Sequence, residues 1–303
     1  MKVIISGATG FVGKNLSNFL QKSNIESFGI SLRNSDWHTF DWNKNFVAII
    51  HLAGKAHDTS NASNPDEYFK INYNLTKEVF DKFLASTVRD FFYFSSVKAV
   101  ADSVEGVLEE NYNPQPQTPY GMSKMKAENY LLEHPLPEGK RLFIIRPCMI
   151  HGPGNKGNLN LLFNVVKKGL PWPLASFDNQ RSFLSIDNLS YLVLEMIKKE
   201  TINSGIYNFA DDIPLSTNEL VSLIADSIGK ERKLSFINPS VIHFFAKIGD
   251  VIPLPLNSER LKKLTESYIV SNTKIKRELK IESLPVSSVE GLRKTILSFD
   301  HKV

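Results

Sequence analysis

Residues 3–13 read VIISGATGFVG. The β-branched run Val3-Ile4-Ile5 is followed by glycines at 7, 10 and 13. Phe11, Val12, Leu16, Phe19 and Leu20 then recur at three- and four-residue spacing. The first part reads as a buried strand and the second as a helix with one apolar face. Glycines so placed permit a tight turn, close backbone approach to a pyrophosphate, and close packing of helix on strand. The helix start then offers unpaired N–H groups to phosphate oxygens. Gly7, Thr9, Gly10, Phe11, Val12 and Gly13 are therefore candidate cofactor contacts, because strand, turn and helix agree in order.

Further strands read over 26–32, over 46–52 (ended by Ala53-Gly54), over 91–94 (followed by Ser95-Ser96) and over 142–145 (ended by Arg146-Pro147). Helices read over 68–84 and 122–132. Strand and helix alternate, which predicts an α/β fold: a doubly wound parallel sheet with ligands at the strand carboxyl ends. After Gly152 the texture changes to glycine- and proline-broken segments. A smaller C-terminal lobe is expected over 153–182 and about 210–303, with 1–152 and about 183–209 forming the cofactor domain. The segment 241–256, VIHFFAKIGDVIPLPL, is apolar enough for a membrane-surface helix. Lys247 and Asp250 interrupt it, which favours a core or lid helix ended by Pro253.

The 303 residues are 42% apolar and 22% charged, a globular balance. The net charge of +4 is spread without blocks of five like charges, so no nucleic-acid arm is expected. Cys148 is the single cysteine, which excludes an internal disulfide, and the seven histidines show no zinc spacing, so no metal is expected. No run of 18 apolar residues suggests a membrane span, and the first six residues are too short for a secretory apolar region. A cytoplasmic enzyme is the simplest expectation.

About 20 residues past the glycines, where a carboxylate would hold the ribose 2′-hydroxyl of NAD, stand Ser31-Leu32-Arg33. A small neutral residue with an arginine nearby suits the 2′-phosphate of NADP, which is slightly favoured over NAD. Asp41 is a candidate for the adenine amino group. Tyr120 and Lys124, four apart on a helix, share a face. A nearby ammonium is expected to lower the tyrosine pKa and equip it for proton transfer. The lysine can also bond the nicotinamide ribose. Ser95-Ser96 follows a strand about 25 residues upstream and can reach the same substrate oxygen.

GATGFVG, HLAG (51–54), FSSVKAV (94–100), PYGMSKMKAE (119–128) and RPCMIHGPG (146–154) together resemble the extended short-chain dehydrogenase/reductases, the NAD-dependent epimerase/dehydratase group acting on nucleotide sugars. The resemblance covers essentially the whole chain. It implies a Rossmann-type sheet, Tyr120 as acid/base, Lys124 as its ribose-bound partner and Ser96 as the assisting hydroxyl, with Ser95 the fallback. It further implies Leu52, Ala53, Gly54, Asn72 and Pro147 along the cofactor, and Arg181, in NQRSFLSIDNL (179–189), on the substrate diphosphate. Arg260 and Asn158 are further phosphate candidates, and His57 a sugar-facing one.

Val97-Lys98 stand where dehydratases of this group carry an Asp-Glu pair, and Met149 where many 4-epimerases carry asparagine. The combination looks more like 4-ketoreductases of UDP-4-keto-6-deoxy-amino-sugars. A UDP-hexose or UDP-N-acetylhexosamine 4-epimerase with tightly held NAD is the close alternative. A non-catalytic NAD(P)-binding regulator is the alternative of another class. A homodimer through the helices at 68–84 and 122–132 is also implied.

Overall fold

In the computed structural model, which describes residues 1–55, 64–155, 157–252 and 256–300, the opening stretch forms β1 (Lys2–Ser6) and α1 (Phe11–Lys22). The chain continues through β2 (Glu26–Ile30), β3 (Ala48–His51), α2 (Pro65–Tyr68), α3 (Leu75–Ala85), β4 (Asp90–Phe94), β5 (Val107–Leu108), α4 (Pro119–Glu133) and β6 (Arg141–Pro147). Then follow β7 (Met149–His151), α5 (Asn158–Lys167), β8 (Phe183–Ser185), α6 (Ile186–Lys198), β9 (Gly205–Phe209) and α7 (Thr217–Ser227). The chain ends with α8 (Pro239–Val251), α9 (Ser258–Thr265), β10 (Ile269–Val270), α10 (Thr273–Leu279) and α11 (Ser288–Asp300).

A six-stranded sheet runs β2-β1-β3-β4-β6-β9, and every pairing in it is parallel. This is the doubly wound arrangement the alternation predicts. Its inner strands are continuous apolar runs, with Ile4, Ile49, Ile50, Phe91, Phe92, Phe143 and Ile144 fully buried. Helices on both faces leave such strands no solvated side. β1 has β2 on one side and β3 on the other, so chain connections diverge at its carboxyl end and open a crevice there.

A second core gathers Leu159, Phe163, Trp172, Leu174, Leu220, Ile224, Leu261 and Ile296, and β7 and β8 pair beside it. Residues of the late chain also reach the sheet: β10 pairs with β5, and Tyr268, Ile275, Leu279 and Leu284 join the sheet's own core.

Two elements depart from the sequence reading. β2 stops at Ile30, so Ser31 and Arg33 lie beyond it. The helix expected over 68–84 is divided, with a π-helical stretch Phe69–Asn74 between α2 and α3. Here the Asn72 side chain is drawn onto the Lys55 backbone and Ser123, a long-range demand that apolar spacing cannot display. α8 buries Ile242 and Ala246 in the second core and leaves its other large apolar side chains exposed or half-buried.

Candidate active site

The glycine turn and the loop leaving β3 meet through bare backbone. Gly7 has φ of +76°, and a β-carbon there would lie 2.8 Å from the Ala53 nitrogen; at Gly13 it would lie 2.4 Å from the Gly7 carbonyl oxygen. Side chains at either position would push the strand, the turn and the helix apart. Gly10 caps α1 without a side-chain hydrogen bond, and the first turn carries no acidic residue. The N–H end of α1 is thus open to an anion, with half-buried Leu52 and Ala53 alongside. These residues fit the pyrophosphate of a dinucleotide.

Beneath this turn lies a closed polar relay. His51 is fully buried, with Nδ1 2.7 Å from Ser6 Oγ and Nε2 3.0 Å from Thr76 Oγ1. Thr76 donates to the Asn72 carbonyl, so its oxygen accepts from His51 Nε2–H; His51 Nδ1 then accepts from Ser6. Ser6 Oγ in turn accepts from the Ala53 N–H. Burial, and secondarily the Lys124 charge, hold the His51 pKa at about 3, so the ring is neutral. The relay ties the ends of β1 and β3 to the π-helical turn.

α4 carries the proton-transfer residues. Thr118 accepts from the Gly121 N–H and Pro119 occupies the first turn, so the helix begins immediately before Tyr120. The Tyr120 phenol is hydrogen-bonded to Ser96, which leaves the end of β4 and also accepts from the Lys98 N–H. Lys124 is buried one turn on, donating 2.8 Å to the Phe94 carbonyl and lying 4.9 Å from the Tyr93 ring centroid. A β-carbon on Gly54 would stand 3.2 Å from Lys124 Nζ and 3.0 Å from Asn72 Oδ1, so the β3 loop, Asn72 and Lys124 are in contact.

The expected acidification of Tyr120 by Lys124 is not what the structure gives. Burial pushes the phenol pKa up, the Ser96 hydrogen bond opposes this only in part, and the ammonium is spent on Phe94. Burial also lowers Lys124 to about 8, against the raising effect of Glu128.

Ser95 turns away from Ser96 and donates to Glu128. Glu128 also receives Arg146 Nε at 3.1 Å and Nη2 at 2.5 Å, an ion pair with almost no exposure. Spacing and composition alone assign no role to Glu128, Arg146 or His51. The available signal for the pair was charge on a buried face: Lys124, Ala127, Glu128 and Leu131 recur at helical spacing, and Arg146 sits inside an apolar strand.

The remaining sequence candidates lie outward. Ser31 and Arg33 are exposed past β2, with the Arg33 N–H 3.4 Å from Ser31 Oγ. Exposed Asp41 accepts from the Asn43 N–H. Pro147 is buried in β6 opposite Phe209. Arg181 pairs through its backbone with Leu215, and its Nη1 donates to the Lys263 carbonyl on α9. Lys98, two residues past Ser96, donates to the Asp102 carbonyl and lies 4.7 Å from the Tyr268 ring. Burial lowers the pKa of both cations, and Arg181 adds to the lowering at Lys98, so their charges lie near each other. The Lys98 N–H donates to Ser96 Oγ, which brings a second cationic residue close to Tyr120. Arg260 is exposed in the first turn of α9, Asn158 opens α5, and His57 lies outside the described residues.

A glycine turn at a helix start, with Ser, Tyr and Lys converging from β4 and α4, defines a nicotinamide-dependent short-chain dehydrogenase/reductase site. The chain belongs to the NAD dependent epimerase/dehydratase family, whose model matches residues 3–210. It is 31% identical over 258 residues to the UDP-glucose 4-epimerase of Vibrio cholerae, covering 75% of this chain and 76% of that one. It is 25% identical over 249 residues to the GDP-6-deoxy-D-mannose reductase of Pseudomonas aeruginosa, covering 74% and 79%. In fold it is similar to RMD from Pseudomonas aeruginosa complexed with NADPH, with a TM-score of 0.77 at 21% identity over 100% of this chain and 99% of that one. The protein is an NAD(P)-dependent epimerase or oxidoreductase of nucleotide sugars.

Proposed function

We propose that the protein reduces the 4-keto group of a UDP-linked 6-deoxy-amino-sugar in glycan assembly, using NADPH. The observation that carries this reading is the state of Tyr120: half-buried, hydrogen-bonded to Ser96 and held as a phenol. A phenol at neutral pH is a proton donor, which reduction of a carbonyl requires. When bound, the reduced nicotinamide supplies hydride to carbon 4. Tyr120 gives its proton to the oxygen of that carbon, and Ser96 holds the same oxygen as charge develops on it. Lys124, beside Gly54 and Asn72, meets the nicotinamide ribose, and exposed Arg33 takes the 2′-phosphate of NADPH.

On the sugar side, Arg181 and Lys98 supply positive charge for the diphosphate, the guanidinium offering paired donors. Residues 153–182 and about 210–303 form the substrate lobe, with Arg260 and Asn158 at its phosphate end. Met149 packs toward the second core, so no amide faces the site from that position. The protein works as a cytoplasmic homodimer through α3 and α4.

A second reading, a UDP-sugar 4-epimerase with resident NAD, is favoured by the 31% identity to the Vibrio cholerae epimerase. Purified protein with NADPH and a UDP-4-keto-6-deoxy-N-acetylhexosamine distinguishes the two. Stoichiometric loss of reduced nicotinamide absorbance supports reduction. Interconversion of UDP-sugar epimers without added cofactor replaces it with epimerisation. Nucleotide binding with neither turnover would leave the regulator reading.

A further inference from the structure

We propose that α8 and the turn before it dock the protein on an anionic membrane surface. The inference is independent of the reaction proposed above. α8 begins cleanly, with the Asn238 side chain accepting from the Ser240 N–H and Pro239 in its first turn. Only Ile242 and Ala246 face inward. Val241, Phe244, Phe245, Val251 and Ile252 are exposed, as are Phe236 and Ile237 in the approach to the helix; Phe236 is 72% and Val251 87% exposed. Positions 241, 244, 245, 248, 251 and 252 follow three- and four-residue spacing, so they form one stripe on the side away from Ile242 and Ala246. The helix is therefore apolar on two sides and covered on one, and an exposed apolar patch of this extent marks a contact surface.

Charge selects the occupant. Residues 230–264 hold seven Lys/Arg against three Asp/Glu; Arg232 is paired with Asp226 and Lys263 with Glu259, and Lys230, Lys233, Lys247 and Lys262 add further positive charge to this stretch. The single acid of α8, Asp250, is turned to the start of α9, where it accepts from the Ser258 N–H and hydroxyl. Lys247 lines the same groove as Phe244, Ile248, Val251 and Ile252. An apolar stripe flanked by lysine is the composition of a helix lying in the headgroup boundary, where anionic lipids attract the cations. A second copy related by a two-fold axis would set the same basic excess against itself across the contact, which costs affinity. The Phe177 ring meets His243 at 5.7 Å, so the docked face borders the segment that leads to Arg181.

Flotation of the purified full chain tests this, with vesicles of phosphatidylcholine alone and of phosphatidylcholine mixed in equal parts with phosphatidylglycerol. The protein is expected to float with the mixed vesicles, and less so at high salt. The double variant Phe244→Asp, Phe245→Asp is expected to lose at least ~10-fold in partitioning while keeping its circular dichroism and NADPH binding. Should that variant fail to fold, Phe236→Asp and Lys247→Glu, both on exposed positions, are expected to weaken flotation separately. Wild-type protein that stays soluble with both vesicles overturns the proposal. So does undiminished flotation of the folded variants, or a fall from dimer to monomer in the variants with no vesicle binding by wild type, which would assign the face to a second copy.

Discussion

A β-carbon on Gly121 would lie 2.3 Å from the carbonyl oxygen of Lys98, so α4 and the loop after Ser96 touch backbone to backbone. This contact sets how closely Tyr120, one residue before Gly121, approaches Ser96. A methyl group there cannot be absorbed by a flexible side chain. Gly121→Ala is expected to cost about 1–3 kcal/mol of stability from overpacking. It is also expected to lower kcat by roughly 10- to 100-fold, since small misplacements of reacting groups are expensive. Thermal melting and steady-state kinetics check this. Unchanged kcat in a destabilised variant would mean that the contact does not set the catalytic geometry.

Lys124 makes a pH prediction. Its ammonium is the charged form, and burial brings the pKa down to about 8. Above that pH the lysine becomes neutral, so the ribose contact weakens and kcat/KM should fall on an alkaline limb near 8 rather than near the ordinary lysine value. Glu128 raises the Lys124 pKa. Glu128→Gln should therefore move the limb to lower pH, and should also cost about 3–5 kcal/mol by leaving Arg146 buried without its partner. A limb that stays in place in the variant would exclude Lys124 as its source.

The fold was legible because its determinants are local. VIISGATGFVG carries strand, turn and helix within eleven residues, and the buried strands are continuous apolar runs. The spacing of Tyr120 and Lys124 is likewise local. Less legible were properties set by residues far apart. The Tyr120 pKa direction depends on burial and on Ser96, not on its helix neighbour Lys124. The π-helical turn depends on Asn72 reaching Lys55 and Ser123, and Ser95 is separated from Ser96 by Glu128, 33 residues downstream. Exposure of α8 depends on what packs against it, which periodicity within the helix does not record.

His51 links acidity to stability. Its folded pKa of about 3 lies below the ordinary histidine value of 6.5, so below pH 6.5 the unfolded chain binds a proton that the folded protein refuses. Stability is therefore complete above about 6.5 and falls as pH drops toward 3, by up to about 5 kcal/mol in all. Chemical denaturation of wild type and His51→Gln across that range provides the comparison. The variant should start less stable at neutral pH, because the Ser6 and Thr76 bonds are disturbed, but its loss of stability on acidification should be shallower. Parallel curves would show that other groups control acid unfolding.

The proposed use of NADPH makes Arg33 the residue that selects the coenzyme. It stands exposed just past β2, where no carboxylate repels a 2′-phosphate, and its backbone N–H is turned to Ser31. A guanidinium–phosphate contact contributes about 1.5–3 kcal/mol when its hydrogen bonds form. Arg33→Ala should then raise the KM for NADPH by roughly 10-fold or more while leaving the KM for NADH nearly constant. Arg33→Asp should go further and favour NADH, since a carboxylate accepts from the 2′-hydroxyl and repels the phosphate. Isothermal titration of each coenzyme separates binding from turnover. Equal losses for both coenzymes would place Arg33 outside the 2′-phosphate site and remove the coenzyme preference from the reductase reading, leaving the Tyr120 argument as its support.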